Sequence, residues 1–275
     1  MNHGIGHWLT LPSRVLLISV GLNLLTGCSD PNRIVVGSKN FTEQIILGEM
    51  VAQHLEKQTE LSVDRRLNLG GSFVCHQGLI AGQLDIYVEY TGTALAAILA
   101  GPPSTDPDTA LARVRQAYRE EFNVEWLEPL GFNNTFAILV RGEDARTLGL
   151  RNVSDAAAYT SEWIAGFGYE FSQRADGYPG LAETYGFGFP DTPRVMELGL
   201  TYQALADGQV DLIAGNSTDG LIEVLDLAML ADDRQYFPPY DAVPIVRQEV
   251  LDQHPEVGEV LRLLGGLISE AEMRQ

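Results

Sequence analysis

Side chains able to carry a reaction are few in this chain, and they stand apart. Of five histidines, His3 and His7 precede an apolar run near the amino terminus, while His54, His76 and His254 stand singly on or beside stretches of helical periodicity. The two cysteines, Cys28 and Cys75, lack the paired spacing of a metal site, and no Gly-x-Ser-x-Gly elbow, phosphate loop or His-Glu-x-x-His motif occurs. A reacting site needs a nucleophile, a base and an orienting group within reach of one another. The sequence does not assemble that trio, so the chain reads as a binding protein, not an enzyme, with no cofactor. Residues suited to noncovalent recognition are easier to place. Tyr90 and Asn216 each close a short apolar run that reads as a strand, and α/β proteins place ligands at the carboxyl ends of such strands.

An internal echo ties those two positions together. The segment Gln77–Leu99 aligns without a gap on Gln203–Leu225 at an offset of 126, with seven of 23 positions identical. Ordinary residue frequencies would give roughly one or two. Each copy reads as a helix ending at a glycine, a short strand, a polar turn and a second helix, the rhythm of a parallel α/β unit. Two copies far apart imply two α/β lobes; a solenoid needs at least three short-period repeats. A Gly-x-x-Asp-apolar pattern shared by any two parallel α/β units would look similar.

The elements around the echo follow from pattern. Ile34–Gly37 reads as a first buried strand, followed by a helix over SKNFTEQIILGEMVAQHLEK with Leu47, Val51 and Leu55 on one face and Thr42 as its cap. The amino end of that helix faces out from the strand end and suits an anionic group on a ligand. Leu61, Val63, Leu67 and Leu69 alternate as a strand, Cys75 lies in a helix as a small hydrophobe, and Thr109–Phe122 reads as an amphipathic helix. Two extended runs around 125–140 flank the turn-rich Gly131–Asn134, the first crossing between lobes. A strand at Trp163–Phe167, a helix at Arg194–Ala206, a return crossing at Pro238-Pro239-Tyr240 and a helix at Val257–Glu272 complete the chain.

At 275 residues the chain suffices for one large domain or two ordinary ones, and the echo favours two. Residues 1–27 combine His3, His7 and Arg14 with the uncharged run Val15–Leu25, too short to span a membrane and suited to export. Leu25-Thr26-Gly27-Cys28 has the form of a bacterial lipobox, so Cys28 is the expected lipidation site and residues 28–33 a tether. Only Cys75 then remains, which rules out an intrachain disulfide. The formal charge is −19, becoming −20 when Arg14, the only charged side chain in 1–27, is removed. So acidic a chain argues against nucleic acid and anionic lipid surfaces as partners.

Seven motifs in order carry a family resemblance: Gly37–Gln44 (GSKNFTEQ), Asn68–Gly71 (NLGG), Glu89–Thr93 (EYTGT), Gly131–Phe136 (GFNNTF), Asp176-Gly177-Tyr178, Ser217–Gly220 (STDG) and Tyr236–Tyr240 (YFPPY). From about Ile34 to the last residue the chain resembles the substrate-binding lipoproteins of ABC importers for glycine betaine, carnitine and choline. The resemblance implies an α/β, two-lobed periplasmic-binding-protein (type II) fold with a ligand cleft between lobes and two crossover segments. The lobes would comprise residues 34–134 plus 237–275, and 135–236.

The resemblance also implies a site. A quaternary ammonium has no N–H to donate, so ring faces select it through cation–π attraction and apolar fit. Matching motifs put that box at Tyr90, Phe136, Asn216 and Tyr240. Similar proteins often have tyrosine at all four; here Phe136 keeps a π face and Asn216 does not. For a ligand carboxylate the resemblance points to Lys39, Thr93 and Arg174, with Glu170 lining the same edge through its backbone. The implied protein is an exported, lipid-anchored monomer that closes by a hinge near Gly131–Thr135 and Pro238–Asp241 and delivers a small quaternary amine to ABC permease subunits. Alternatives are a binder of another trimethylammonium betaine such as ergothioneine, a binder of choline, and a small-metabolite enzyme or receptor-linked sensor using the same cleft.

Overall fold

The described residues form ten strands, the central ones short apolar runs: β1 (Arg33–Gly37), β2 (Ser62–Arg66), β3 (Ile86–Tyr90), β4 (Val124–Trp126), β5 (Phe136–Arg141), β6 (Ala165–Gly168), β7 (Arg194–Met196), β8 (Leu212–Asn216), β9 (Leu227–Leu230) and β10 (Ala242–Arg247). The computed structural model describes Met1 and residues 30–275; the expected export segment beyond Met1, and Cys28, lie outside the described residues. Residues 32–275 make one compact unit. Its strands form two sheets of five, in the orders β2-β1-β3-β10-β4 and β7-β6-β8-β5-β9.

The two sheets have one topology. In each, three parallel strands are joined by an antiparallel fourth, β10 against β3 and β5 against β8, which in turn pairs with a short antiparallel edge strand. Both faces of each sheet are covered, so neighbouring residues of one strand feed opposite cores. Ile34 and Val36 enter one core of the first sheet and Val35 the other, while Ile138 and Val140 part from Leu139 in the same way in the second.

The echo is therefore a structural repeat. Helix Ser72–Ile80, the left-handed Gly82 and β3 correspond at the same 126-residue offset to helix Leu198–Ala206, the left-handed Gly208 and β8. Both glycines have φ of +69°, a conformation glycine adopts without cost and which turns the helix end back into the strand. The shared aspartates repeat one staple. Asp85 Oδ2 accepts from the Val35 N–H (2.8 Å) and Oδ1 from Arg247 (3.0 Å), while Asp211 Oδ2 accepts from the Ile164 N–H (2.9 Å) and Oδ1 from Arg141 (2.8 Å). Each arginine ends the antiparallel strand of its own sheet.

Several expected elements shift, each for a local reason. Phe41, extended at φ −134°, occupies the cap position of helix Thr42–Gln58 and makes no side-chain cap, so Thr42 is the first helical residue. The strand ends at Arg66, because Asn68 turns left-handed at φ 58°, and Leu67 and Leu69 fall outside it. Asp106 caps a helix that begins at Pro107, two residues before Thr109. The expected helix Arg194–Ala206 is split: Arg194–Met196 pairs with β6 as the edge strand that repeats β2, and helix begins at Leu198. The carboxyl-terminal helix is also broken. It runs Pro255–Arg262, a turn through the left-handed Gly266 follows, and Ser269 starts a separate capping box for Glu270–Met273.

The duplicated staple generates a paired expectation: Asp85→Ala and Asp211→Ala should each lower unfolding free energy by about 1–3 kcal/mol, the cost of stranding hydrogen-bonded partners. Urea titration of the two variants measures it; a loss at only one position would mean that the repeat does not extend to energetics.

Candidate functional site

The carboxyl ends of β1, β3, β6 and β8 converge on one cavity of about 240 Å³ between the sheets. Lys39 follows β1, Tyr90 ends β3 with Thr93 just beyond, Glu170 and Arg174 follow β6, and Asn216 ends β8. Phe136 begins β5 and Tyr240 lies two residues before β10. All eight residues named from the sequence line this cavity. The repeat makes Tyr90 and Asn216 equivalent, yet their neighbours differ: Tyr90 is registered against Ala242, whereas Asn216 is registered against Phe136. In the second sheet the ring has moved from the parallel strand to its antiparallel neighbour.

Rings cluster on two sides. Tyr90 stacks on Phe41 with centroids 6.3 Å apart. Phe136 meets Tyr240 at 5.6 Å, Phe171 at 4.9 Å and Phe237 at 5.9 Å, edge-on or tilted. Phe41 and Phe171 also line the cavity and were not singled out from the sequence. Both lie inside segments that were, Phe41 two residues after Lys39 and Phe171 three before Arg174, but a lone phenylalanine there reads equally well as core.

The two cations of the site are each matched within the protein. Lys39 Nζ donates to Glu89 and lies 4.8 Å from the Tyr90 ring centroid; Glu89, fully buried, also accepts from the Tyr87 hydroxyl (3.0 Å) and the Tyr90 N–H (2.7 Å). Arg174 holds Asp176 through two nitrogens, and its guanidinium carbon sits 5.2 Å from the Phe136 ring centroid. Tyr240 donates to Asp176 at 2.7 Å. Burial pushes the Tyr240 and Tyr90 hydroxyls well above their ordinary pKa, so both act as neutral donors. Buried ions of this kind are tolerable only when paired and hydrogen-bonded. Cys75, buried on helix Ser72–Ile80, has its thiol pushed up to about 12 by burial, which keeps it protonated and inert.

Besides the Tyr240–Asp176 hydrogen bond, further polar contacts join the two sheets' segments across the cleft. Arg174 Nη1 and Nη2 each donate to Thr93 Oγ1 at 3.3 Å. Glu170 accepts from the Ser72 N–H and, at 3.2 Å, from its hydroxyl. The Glu170 side-chain carboxylate makes this contact because Gly71 leaves a gap that a Cβ would close, lying 2.1 Å from Glu170 Oε1. Thr218 also donates across the cleft to Glu43, a carboxylate that accepts in addition from Tyr90 and from Asn134 (2.9 Å). Burial raises the Glu43 carboxyl above its usual range despite these three donors. Among the described residues no group of His, Cys, Asp and Glu gathers as a metal site, and no helix is long and apolar enough to cross a membrane.

Comparison with known proteins gives this geometry a family. Residues 32–275 match the substrate-binding domain of ABC-type glycine betaine transport systems. The chain is similar to the carnitine transport binding protein of Listeria monocytogenes, 36% identical over 269 residues covering 97% of this chain and 87% of that one. It is also similar to the ergothioneine transport permease/ergothioneine binding protein of Helicobacter pylori, 33% identical over 242 residues, 88% of this chain and 43% of that longer one. A crystal structure of a glycine betaine/carnitine/choline ABC transporter superposes with a TM-score of 0.72 at 36% identity, covering 88% of this chain and 89% of the other. The fold is the two-lobed type II periplasmic-binding-protein fold, one sheet to each lobe. The chain belongs to the family of substrate-binding domains of ABC-type glycine betaine transport systems, a family of solute-binding proteins and not of enzymes.

Proposed function

We propose that this protein binds a quaternary ammonium solute of the glycine betaine, carnitine and choline class in the cleft between its lobes and hands it to ABC permease subunits. The observation that carries this reading is the meeting of Tyr90, Phe136 and Tyr240 with Arg174 and Thr93 around one cavity. Ring faces attract a cation that cannot donate a hydrogen bond, and a planar guanidinium suits a carboxylate. Arg174 is anchored by Asp176 while Nη1 and Nη2 point at Thr93, so a ligand carboxylate would meet a donor edge already oriented. Lys39 shares its charge with Glu89 and acts as the weaker partner. Lobe 1 is residues 34–134 plus 237–275 and lobe 2 residues 135–236, with a hinge near Gly131–Thr135 and Pro238–Asp241. The protein works as an exported monomer anchored through lipid on Cys28.

A second reading rests on Asn216. An amide where a fourth ring would stand leaves one wall polar, which favours a trimethylammonium ligand with a further hydrogen-bonding group, and a relative 33% identical is named as ergothioneine binding.

Calorimetric titration with glycine betaine, carnitine, choline and ergothioneine separates these readings, and binding of none of the four would sink both. Arg174→Ala should weaken glycine betaine about tenfold or more, the ~1.4 kcal/mol scale of one charged hydrogen bond, and choline far less. Equal losses for both would assign Arg174 to lobe closure and not to a carboxylate. Phe136→Ala should weaken all trimethylammonium ligands by roughly 1–2 kcal/mol. For the anchor, cells fed labelled palmitate should mark the parent chain and not Cys28→Ala; equal labelling of the two would place the lipid elsewhere.

A further inference from the structure

Glu43 lies outside the cavity wall, yet three segments of the protein converge on it. It stands in the first turn of helix Thr42–Gln58 and is 8% exposed. Its Oε1 accepts from the Tyr90 hydroxyl and from Asn134 Nδ2 at 2.9 Å, and its Oε2 accepts from the Thr218 hydroxyl. Among the described residues no Lys, Arg or His comes within ion-pair distance of it. A buried carboxylate without a cation is a costly thing to keep, and for packing alone an apolar side chain of that size would serve better.

What the three donors belong to explains its presence. Tyr90 and Asn134 both line the cavity, and Gln44 Nε2 holds the same Tyr90 oxygen from the other side at 2.9 Å. Because the Asn134 amide turns its nitrogen to Glu43, its Oδ1 is left buried without a protein partner in a residue that faces the ligand space. Thr218 belongs to the turn after β8, whose Ser217 is already locked to Thr135 by two hydrogen bonds of 3.0 and 3.1 Å at the first crossing. Glu43 thus touches a cavity ring, the crossing segment and the opposite lobe at the pivot between them.

We propose that Glu43 is a positioning residue, a hinge clasp that makes the placement of Tyr90 and Asn134 in the cavity and the closure of lobe 2 through Thr218 one event. When Thr218 is engaged the carboxylate has its full set of donors and both cavity residues are held; when the lobes part, Oε2 loses its donor and the hold on Tyr90 and Asn134 loosens. The effect on affinity rests on the ligand class proposed above, and the effect on lobe geometry does not.

The test removes the hydroxyl of Thr218, which is buried and does not line the cavity. In the full chain, Thr218→Val should weaken glycine betaine about tenfold or more by calorimetry, Thr218→Ser should stay within about threefold of the parent, and Glu43→Ala with Thr218→Val together should be no weaker than Glu43→Ala alone, since both remove one shared interaction. Small-angle X-ray scattering without ligand should give a larger radius of gyration for Thr218→Val than for the parent and Thr218→Ser. A radius unchanged in Thr218→Val overturns the clasp, as does additivity in the double variant. If the parent takes no glycine betaine, the ligand reading has failed and the scattering comparison alone decides the clasp.

Discussion

Arg174 and Asp176 are both almost wholly withdrawn from water, with side chains 4% and 8% exposed, and the cleft is organised around making that tolerable. A guanidinium taken out of water loses several kcal/mol of hydration unless its donors are matched. Asp176 satisfies one edge, Thr93 from the other lobe faces the remaining nitrogens, Tyr240 completes Asp176, and the Phe136 ring lies beneath the guanidinium. Each partner comes from a different stretch of chain, so the charge can be matched only where the two lobes meet. Lys39 with Glu89 repeats the same solution within the first lobe, and Glu43 with its three donors repeats it between the lobes.

The repeat supplies the frame on which those charges are hung. Two copies of one five-strand topology, each locked by an aspartate that ties a parallel strand to the arginine ending the antiparallel one, point their strand ends at a common space. Equivalent backbone positions then carry different chemistry. Tyr90 presents a ring at the end of β3, whereas at the end of β8 Asn216 presents an amide and the ring comes from Phe136 beside it. A duplicated fold thereby yields an asymmetric cavity, as a ligand with unlike ends requires.

The parts of the fold legible in the chain were those governed by local pattern. Short, nearly continuous apolar runs located β1, β3, β5 and β8, and the glycine at each helix end located the turns into β3 and β8. The misread stretches were those where a distant partner outweighed local preference. Arg194–Met196 carries a helix-compatible sequence, but the exposed edge of β6 recruits it as a strand. The carboxyl-terminal segment has apolar residues at helical spacing through Leu264, but Gly266 and the Ser269 cap divide it.

By itself the sequence determined the α/β class and the two-copy organisation, because strand ends and glycine turns are local or serial properties, while the side chains that share the cavity were implied by the family resemblance of its ordered motifs. Only the tertiary structure decided what each of those side chains does to the others. Lys39 and Arg174 are not free cations but halves of buried pairs, Glu170 reaches across the cleft with its carboxylate, and Glu43 holds a ring, the crossing and the opposite lobe at once. The reason is physical: the strength and sense of a charge depend on its burial and its nearest partner, and both are set by residues 50 or more positions away in the chain for Lys39, Glu170 and the Glu43–Thr218 contact.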